Sequence, residues 1–336
     1  MFRIMTHQQD SIDRRLCVAP MMDWTDRHCR YFLRQLAPDA CLFTEMVTAE
    51  ALIHGDLGRL LSYNAAESPL VLQLGGSQPD RLARAVAQAA PWGFAEINLN
   101  VGCPSDRVRL GKFGACLMAE PELVAACCRA MMDETDVPVT VKCRIGIDDM
   151  DPETDLNRFV ETVASAGVSV FYLHARKAWL NGLSPKENRT IPPLDYDRAR
   201  RLAMQRSDLS VILNGGLETA DQAIAEMHGC NGVMIGRAAY RTPYVLTEIA
   251  QRIFGRAPPR RDHVALAMAD YADTMTKTGV PLHSITRHML GLYSGQSGAK
   301  YWRQQLGENA RMAPAPGDFI RETTAFCEAL AARRSA

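Results

Sequence analysis

The chain has 336 residues, 47% of them hydrophobic and 23% charged, with 38 basic against 38 acidic side chains, the balance of a globular protein able to bury a sizeable core. This composition excludes disorder, collagen and coiled coil, and zero net charge argues against a protein that coats nucleic acid indiscriminately. Ten scattered cysteines without a C-x-x-C pair argue against a disulfide framework and a structural zinc site, so no metal is expected.

The N-terminal stretch Met1 to Arg15 is too polar for a signal peptide, and no segment approaches the roughly 18 to 20 uninterrupted apolar residues of a membrane helix. A cytoplasmic protein without membrane attachment is expected, with a monomer as the default. From Leu16 onward one unit repeats: a short apolar run, a turn or polar loop, then a longer segment with helical spacing. The runs fall at Leu16 to Ala19, Ala40 to Thr44, Pro69 to Leu74, Phe94 to Leu99, Val137 to Cys143, Val168 to His174, Leu209 to Leu213 and Gly232 to Ile235. Between them, Pro79 to Ala90, Pro121 to Met132, Asp155 to Ala166 and Ala220 to Met227 are rich in Ala, Leu, Arg and Glu with Pro or Asp near their starts, which predicts helices. Strands apolar almost throughout belong in a parallel sheet. Eight such units predict an α/β fold, a (β/α)8 TIM barrel, in preference to an open doubly wound sheet.

After Phe254 the character changes. Gly255-Arg256-Ala257-Pro258-Pro259-Arg260-Arg261 reads as a linker, and the remainder of the chain is helically patterned with no convincing strand. A catalytic barrel over residues 1–254 and a smaller helical domain over 255–336 are expected. From Ala250 to Ala336 there are 12 Lys and Arg against 7 Asp and Glu, so the basic excess is segregated into this region.

In a barrel of this kind the reacting groups gather at the C-terminal ends of the strands. Here those ends are unusually polar. Pro20-Met21-Met22 follow the first run, Gln73 lies in the third, Asn98, Asn100 and Cys103 end or follow the fourth, and Lys142 and Arg144 end the fifth. His174 and Arg176 belong to the sixth, Asn214-Gly215-Gly216 follow the seventh and Gly236-Arg237 the eighth. Singly, such residues often cap helices or satisfy loop backbone; together they converge on one mouth. Glycines after the last two strands let backbone N–H groups approach a phosphate, with a helix N-terminus behind them, and Arg237 adds a charged clamp. A lysine ending a buried strand is rarely idle, because an unpaired buried ammonium is costly. The electron-rich N1 and C2 carbonyl region of a flavin would suit Lys142, Gln73 could bond its pyrimidine edge, and Pro20-Met21-Met22 offers an apolar ledge beneath a ring system.

Cys103 lies in Asn98-Leu99-Asn100-Val101-Gly102-Cys103-Pro104-Ser105, a loop over the mouth, whereas Cys17, Cys41 and Cys143 sit inside apolar runs and read as small core residues. A loop cysteine there is placed to act as nucleophile or proton donor. No Cys/His hydrolase pairing is visible, and a thiol of ordinary pKa, about 8.5, is mostly protonated at neutral pH, which favours the acid.

Val18-Ala19-Pro20-Met21-Met22-Asp23, Gln73-Leu74-Gly75-Gly76, Asn98 to Pro104, Val141-Lys142-Cys143-Arg144, Leu173-His174-Ala175-Arg176, Asn214-Gly215-Gly216 and Gly236-Arg237 together resemble the tRNA-dihydrouridine synthases, from about Leu16 into the C-terminal region. The run from His174 to Arg189, with Lys177-Ala178-Trp179-Leu180 and Ser184-Pro185-Lys186-Glu187-Asn188-Arg189, is similar to the bacterial A-type subfamily, which reduces the D-loop uridines U20 and U20a. This resemblance implies an FMN enzyme with tRNA as substrate and NADPH as reductant. It implies that Pro20, Met21, Met22, Gln73, Lys142, His174, Asn214, Gly215, Gly216, Gly236 and Arg237 bind FMN, and that Cys103 protonates C5 of a uracil whose C6 receives hydride. Asn100, Lys186 and Arg189 would contact the RNA, with Lys300 and Arg303 doing so from the C-terminal helices. Two rival readings are a flavin barrel acting on a free small molecule, which has no use for the basic loop or the C-terminal helices, and a tRNA-binding protein without catalysis, which leaves Cys103 without a task.

Overall fold

Each of the eight apolar runs becomes a strand: β1 (Leu16–Val18), β2 (Leu42–Thr48), β3 (Leu70–Gly75), β4 (Glu96–Val101), β5 (Val139–Arg144), β6 (Val170–His174), β7 (Ser210–Asn214) and β8 (Gly232–Ile235). All neighbouring strands run parallel, in the order β1-β8-β7-β6-β5-β4-β3-β2. The ring closes where β1 meets the chain just before β2, with Cys17 opposite Cys41 and Val18 N–H and Cys41 N–H each donating across the seam at 2.9 Å. This is a (β/α)8 barrel. The coordinates are a computed structural model that describes residues 12–313 and 315–335; most of the stretch read as too polar for a signal peptide lies outside the described residues.

The expected helices are found at Pro79–Ala89, Pro121–Met132, Thr154–Ala164 and Ala220–Met227. The first two open on a proline whose missing N–H has no partner to lose, with Asp80 or Glu122 in the first turn. Thr219 caps the last by accepting from Gln222 N–H. Leu82, Ala85, Val86 and Ala89 recur at helical spacing and are fully buried. They share one core with outward-facing strand residues such as Leu72, Leu99, Val141 and Leu213. Alternate strand residues turn inward, where Cys17, Phe43, Val71, Tyr172, Ile212 and Met234 form a second cluster.

The largest boundary difference from expectation lies in β2. The second apolar run ends at Thr44, before the charged Glu45, yet β2 continues to Thr48. A register shift against β3 between Phe43 and Met46 accommodates Glu45, and burial pushes the pKa of that carboxyl upward.

Beyond Ile235 the described residues contain no strand. The main C-terminal helices are Arg261–Thr276, Leu282–Thr286, Ala299–Glu308 and Pro316–Ser335, and their buried residues continue the outer core of the barrel. They dock on the barrel helix Arg27–Leu36, where Tyr31 stacks on Tyr271 at 4.0 Å and His28 Nδ1 lies 2.8 Å from the Tyr271 hydroxyl. Asp26, which caps that helix, also accepts from Arg287 at 2.6 Å and pairs with His288 at 3.0 Å. Among the described residues no helix is long and apolar enough to cross a membrane.

Candidate active site at the barrel mouth

A cavity of about 390 Å³ opens at the C-terminal ends of the strands. Into it the fold brings Pro20, Met21 and Met22 from the turn after β1, Gln73 from β3, Asn100 and Cys103 from β4 and its loop, Lys142 from β5 and His174 from β6. Asn214, Gly215 and Gly216 join from the end of β7, Gly236 and Arg237 from the end of β8, and Arg189 from the loop after β6. Lys186 stands exposed beside that loop without lining the cavity. Lys300 and Arg303 are exposed on Ala299–Glu308, whose buried residues are Trp302 and Leu306.

The Cys103 loop is tethered on three sides. Asn100 Oδ1 accepts from the backbone N–H groups of Gly102 and Cys103 at 3.1 and 3.0 Å. The Cys103 carbonyl accepts from Ala115 N–H at 2.9 Å, and Arg144 Nε donates to the Gly102 carbonyl at 2.8 Å. Gly114, at φ +76°, allows the close approach, since a Cβ there would lie 2.6 Å from the Cys103 carbonyl oxygen. A half-buried thiol is thereby held at a fixed place on the rim.

Beside this loop, on the neighbouring strand β5 and in register with Asn100, lies a cation that pairs with no carboxylate among the described residues. Lys142 Nζ donates to Asn214 Oδ1 at 3.1 Å, and Asn214 Nδ2 donates to the Met234 carbonyl at 2.7 Å. Burial, reinforced by the charge of Arg144, brings the Lys142 pKa down to about 8. Burial also drives His174 well below its ordinary value, with Arg144 and Lys142 adding to the shift, so its imidazole is neutral at physiological pH. Arg144 is buried too, and its other donors reach the Lys177 and Asn188 carbonyls at 3.0 and 3.1 Å. Gly215 has φ +123°, and a Cβ there would lie 2.7 Å from His174 Cδ2; a Cβ on Gly236 would meet nothing within 4 Å. The turn after β8 therefore leaves open space for a ligand to approach backbone at Gly236, whereas at Gly215 the absent side chain makes room for His174.

Beneath the mouth, the barrel interior between β3 and β5 is polar. Gln73 Nε2 donates to Asn98 Oδ1 at 2.8 Å, Asn98 Nδ2 to Thr140 Oγ1 at 2.9 Å, and Thr140 Oγ1 to Glu96 Oε1 at 2.6 Å. Tyr172 OH donates to the same Glu96 oxygen at 2.9 Å, while Arg14 Nε donates to Oε2 at 2.8 Å. Asn100 Nδ2 joins this chain by donating to Gln73 Oε1 at 2.9 Å. Burial raises the Glu96 pKa and Arg14 opposes that shift; with donors on both oxygens, the group serves only as an acceptor.

The loop after β6 is built on Asn188, fully buried, which accepts from Trp179 N–H at 2.8 Å and donates to the Trp179 and Leu183 carbonyls at 2.8 and 3.1 Å. That clamp leaves Lys186 exposed outside the cavity and Arg189 exposed at the cavity's edge. Arg144, Met46 and Trp24 also line the cavity and were not assigned site roles from the sequence. Arg144 stood in the strand-end pattern and was legible there. Met46 was hidden by the register shift in β2, and Trp24, stacked on Tyr240 at 4.4 Å, carried no spacing signal.

The family described as "Dihydrouridine synthase (Dus)" matches residues 17–330 of the chain. Curated relatives include proteins named tRNA-dihydrouridine(20/20a) synthase. That of Xanthomonas axonopodis pv. citri is 52% identical over 308 residues, 92% of each chain. That of Escherichia coli O6:H1 is 51% identical over 304 residues, 90% of this chain and 92% of the relative. Among solved structures, an old yellow enzyme homologue from Zymomonas mobilis superposes with TM-score 0.52 at 14% identity, covering 73% of this chain and 90% of that one, a likeness of fold.

Proposed function

The chain belongs to the dihydrouridine synthase family, and from that premise we propose that it reduces the C5–C6 double bond of the D-loop uridines 20 and 20a of tRNA, in the cytoplasm, with FMN as its flavin and NADPH as reductant. The observation that carries the proposal is the meeting, in one cavity, of a cation without a carboxylate partner, a glycine-lined turn pair and a tethered thiol.

These residues fit FMN. Lys142 can face the electron-rich N1–C2 edge of the ring, Gln73 its pyrimidine edge and Pro20 to Met22 its apolar underside. Neutral His174 would offer hydrogen bonds without charge. Gly215, Gly216, Gly236 and Arg237 suit the phosphate, while Asn214 holds Lys142 in place. Bound flavin supplies the hydride equivalent added to C6 of uracil. Cys103 holds, on Sγ, the proton delivered to C5, and its tethers keep the thiol on the rim without a search. No Gly-x-Gly-x-x-Gly motif is present in the sequence, so NADPH uses the same mouth. A uracil in folded tRNA must leave its stack to reach the cavity; Asn100, Lys186 and Arg189, with Lys300 and Arg303 in a helical tRNA-binding domain over 255–336, are the proposed RNA contacts.

The test is the purified protein. It should release FMN on denaturation, and tRNA from cells lacking it should lose dihydrouridine at positions 20 and 20a. Protein that neither carries nor rebinds FMN, or cells whose tRNA is unaltered at those positions, would overturn the proposal.

A further inference from the structure

We infer that Glu96, at the start of β4 and far along the chain of hydrogen bonds from the mouth, is a positioning residue for Cys103 that acts by fixing the direction of every side-chain amide between them. This rests on the function proposed above only in taking Cys103 as the working thiol.

A carboxylate can only accept. The single Thr140 hydroxyl proton is therefore committed to Glu96 Oε1 at 2.6 Å, and the Thr140 oxygen must accept from its other neighbour. Asn98 is thereby obliged to present Nδ2, at 2.9 Å, and to turn Oδ1 the other way. That oxygen needs a donor, so Gln73 presents Nε2 at 2.8 Å and its Oε1 faces Asn100. Asn100 in turn presents Nδ2 to Gln73 at 2.9 Å, leaving Oδ1 for the loop. There the N–H groups of Gly102 and Cys103 donate to it at 3.1 and 3.0 Å. Every donor in the chain points toward Glu96.

Burial makes the direction binding. Glu96, Asn98 and Thr140 are fully buried and Gln73 is 1% exposed, so none of them can exchange a mismatched partner for water. Carboxamides keep the identity of their two ends, so what passes along the chain is orientation and not a proton. Reversal would need three carboxamides to flip together. It would finish with Asn100 Nδ2 against two backbone N–H groups, three donors with no acceptor, and the loop would lose its tether. The same chain decides which end of Gln73 and Asn100 is donor and which acceptor where both line the cavity. A purely structural Glu96 that only neutralises Arg14 would not require this order.

The test compares Glu96→Gln, Thr140→Val and Thr140→Ser in the protein as purified, with flavin bound. A glutamine turns its carbonyl to Arg14 and its amide to Thr140, which reverses the hydroxyl and favours the flipped chain. Valine removes the link at nearly constant shape, and serine restores it. The readouts are the rate of iodoacetamide alkylation at Cys103, located by mass spectrometry with Cys103→Ala as control, and the backbone amide resonances of Gly102 and Cys103. Alkylation should rise about fivefold or more in Glu96→Gln and Thr140→Val, the population shift expected from losing roughly one hydrogen bond. The rate should return to wild type in Thr140→Ser, with the two resonances moving in step. If Thr140→Val lowered the melting temperature but left alkylation and both resonances unchanged, the chain would serve stability alone and the inference would fall. Should Glu96→Gln fail to fold, the Thr140 pair decides. Alkylation does not depend on catalysis: altered labelling in an enzyme whose wild type makes no dihydrouridine would sink the function and leave the chain standing, and the converse result would do the reverse.

Discussion

Lys142→Met should shift stability and flavin affinity in opposite directions. Lys142 is kept in a cavity, donating to the neutral Asn214 Oδ1 at 3.1 Å, and burial, with the charge of Arg144, lowers its pKa from 10.5 to about 8. That depression means the charged form disfavours the flavin-free fold by about 3 kcal/mol, at 1.36 kcal/mol per pKa unit. Solvent in the open cavity screens part of it, leaving roughly 1 to 2 kcal/mol. Methionine has a similar length and no charge, so flavin-stripped Lys142→Met should melt higher than flavin-stripped wild type. For a chain of 336 residues, that is an increase of about 1.5 to 3 °C. Because the folded pKa lies below the unfolded one, the unfolded chain binds the extra proton between pH 8 and 10.5, and wild-type stability rises with pH through that window. The gap between variant and wild type should therefore be full below pH 8 and gone above pH 10.5. FMN affinity should go the other way. Losing a charged hydrogen-bond donor, worth about 1.5 to 3 kcal/mol, weakens binding roughly 10- to 150-fold, as read by quenching of flavin fluorescence. Wild-type affinity should itself decline as pH rises past about 8 and Lys142 loses its proton. A Lys142→Met protein that melts lower without flavin and binds FMN as tightly as wild type would refute both the burial penalty and the assignment of the lysine to the flavin.

Cys103→Ala should leave NADPH-dependent bleaching of the flavin intact while dihydrouridine formation falls about 10²- to 10⁴-fold, the usual worth of a general acid; a wild-type rate of dihydrouridine formation would make the thiol a spectator. Gly215→Ala forces a side chain into φ +123° and within 2.7 Å of His174 Cδ2. It should lose about 1 to 3 kcal/mol of stability and retain less FMN after gel filtration, and unchanged values for both would show that the turn is not strained. Alanine at Lys186, Arg189, Lys300 or Arg303 should each lower the magnitude of the salt slope of tRNA binding by roughly 0.7 to 0.9, with FMN content unchanged. A quadruple variant with wild-type affinity at every salt concentration would place the RNA on another face.

The polarity of successive residues carried the fold. Eight runs such as Val137 to Cys143 and Val168 to His174 are apolar because a parallel strand is buried on both faces, and that constraint is written in consecutive residues. The mouth was legible for a related reason: side chains that end strands in a barrel share one rim whatever their separation in sequence, so Gln73, Lys142, His174 and Gly236 could be grouped before any distance was known. Resemblance then supplied the chemistry that grouping alone left open.

Other features depended on partners far apart in the chain. Met46 reaches the cavity because β2 shifts register where Glu45 interrupts the apolar run, a choice settled by pairing with β3. Asn98 and Asn100 could be read as polar strand-end residues, but nothing in their neighbourhood says that one is locked to Thr140 and the other to Gln73. Glu96 stands inside the run Phe94 to Leu99, with nothing beside it in the chain to name its partner. Its burial beside Arg14, 82 positions away, arises only when the ring closes and the first turn of chain is brought under β4. Local sequence determines which residues prefer to be covered; which donor meets which acceptor inside the barrel is decided by contacts between strands, and these exist only once the barrel has formed.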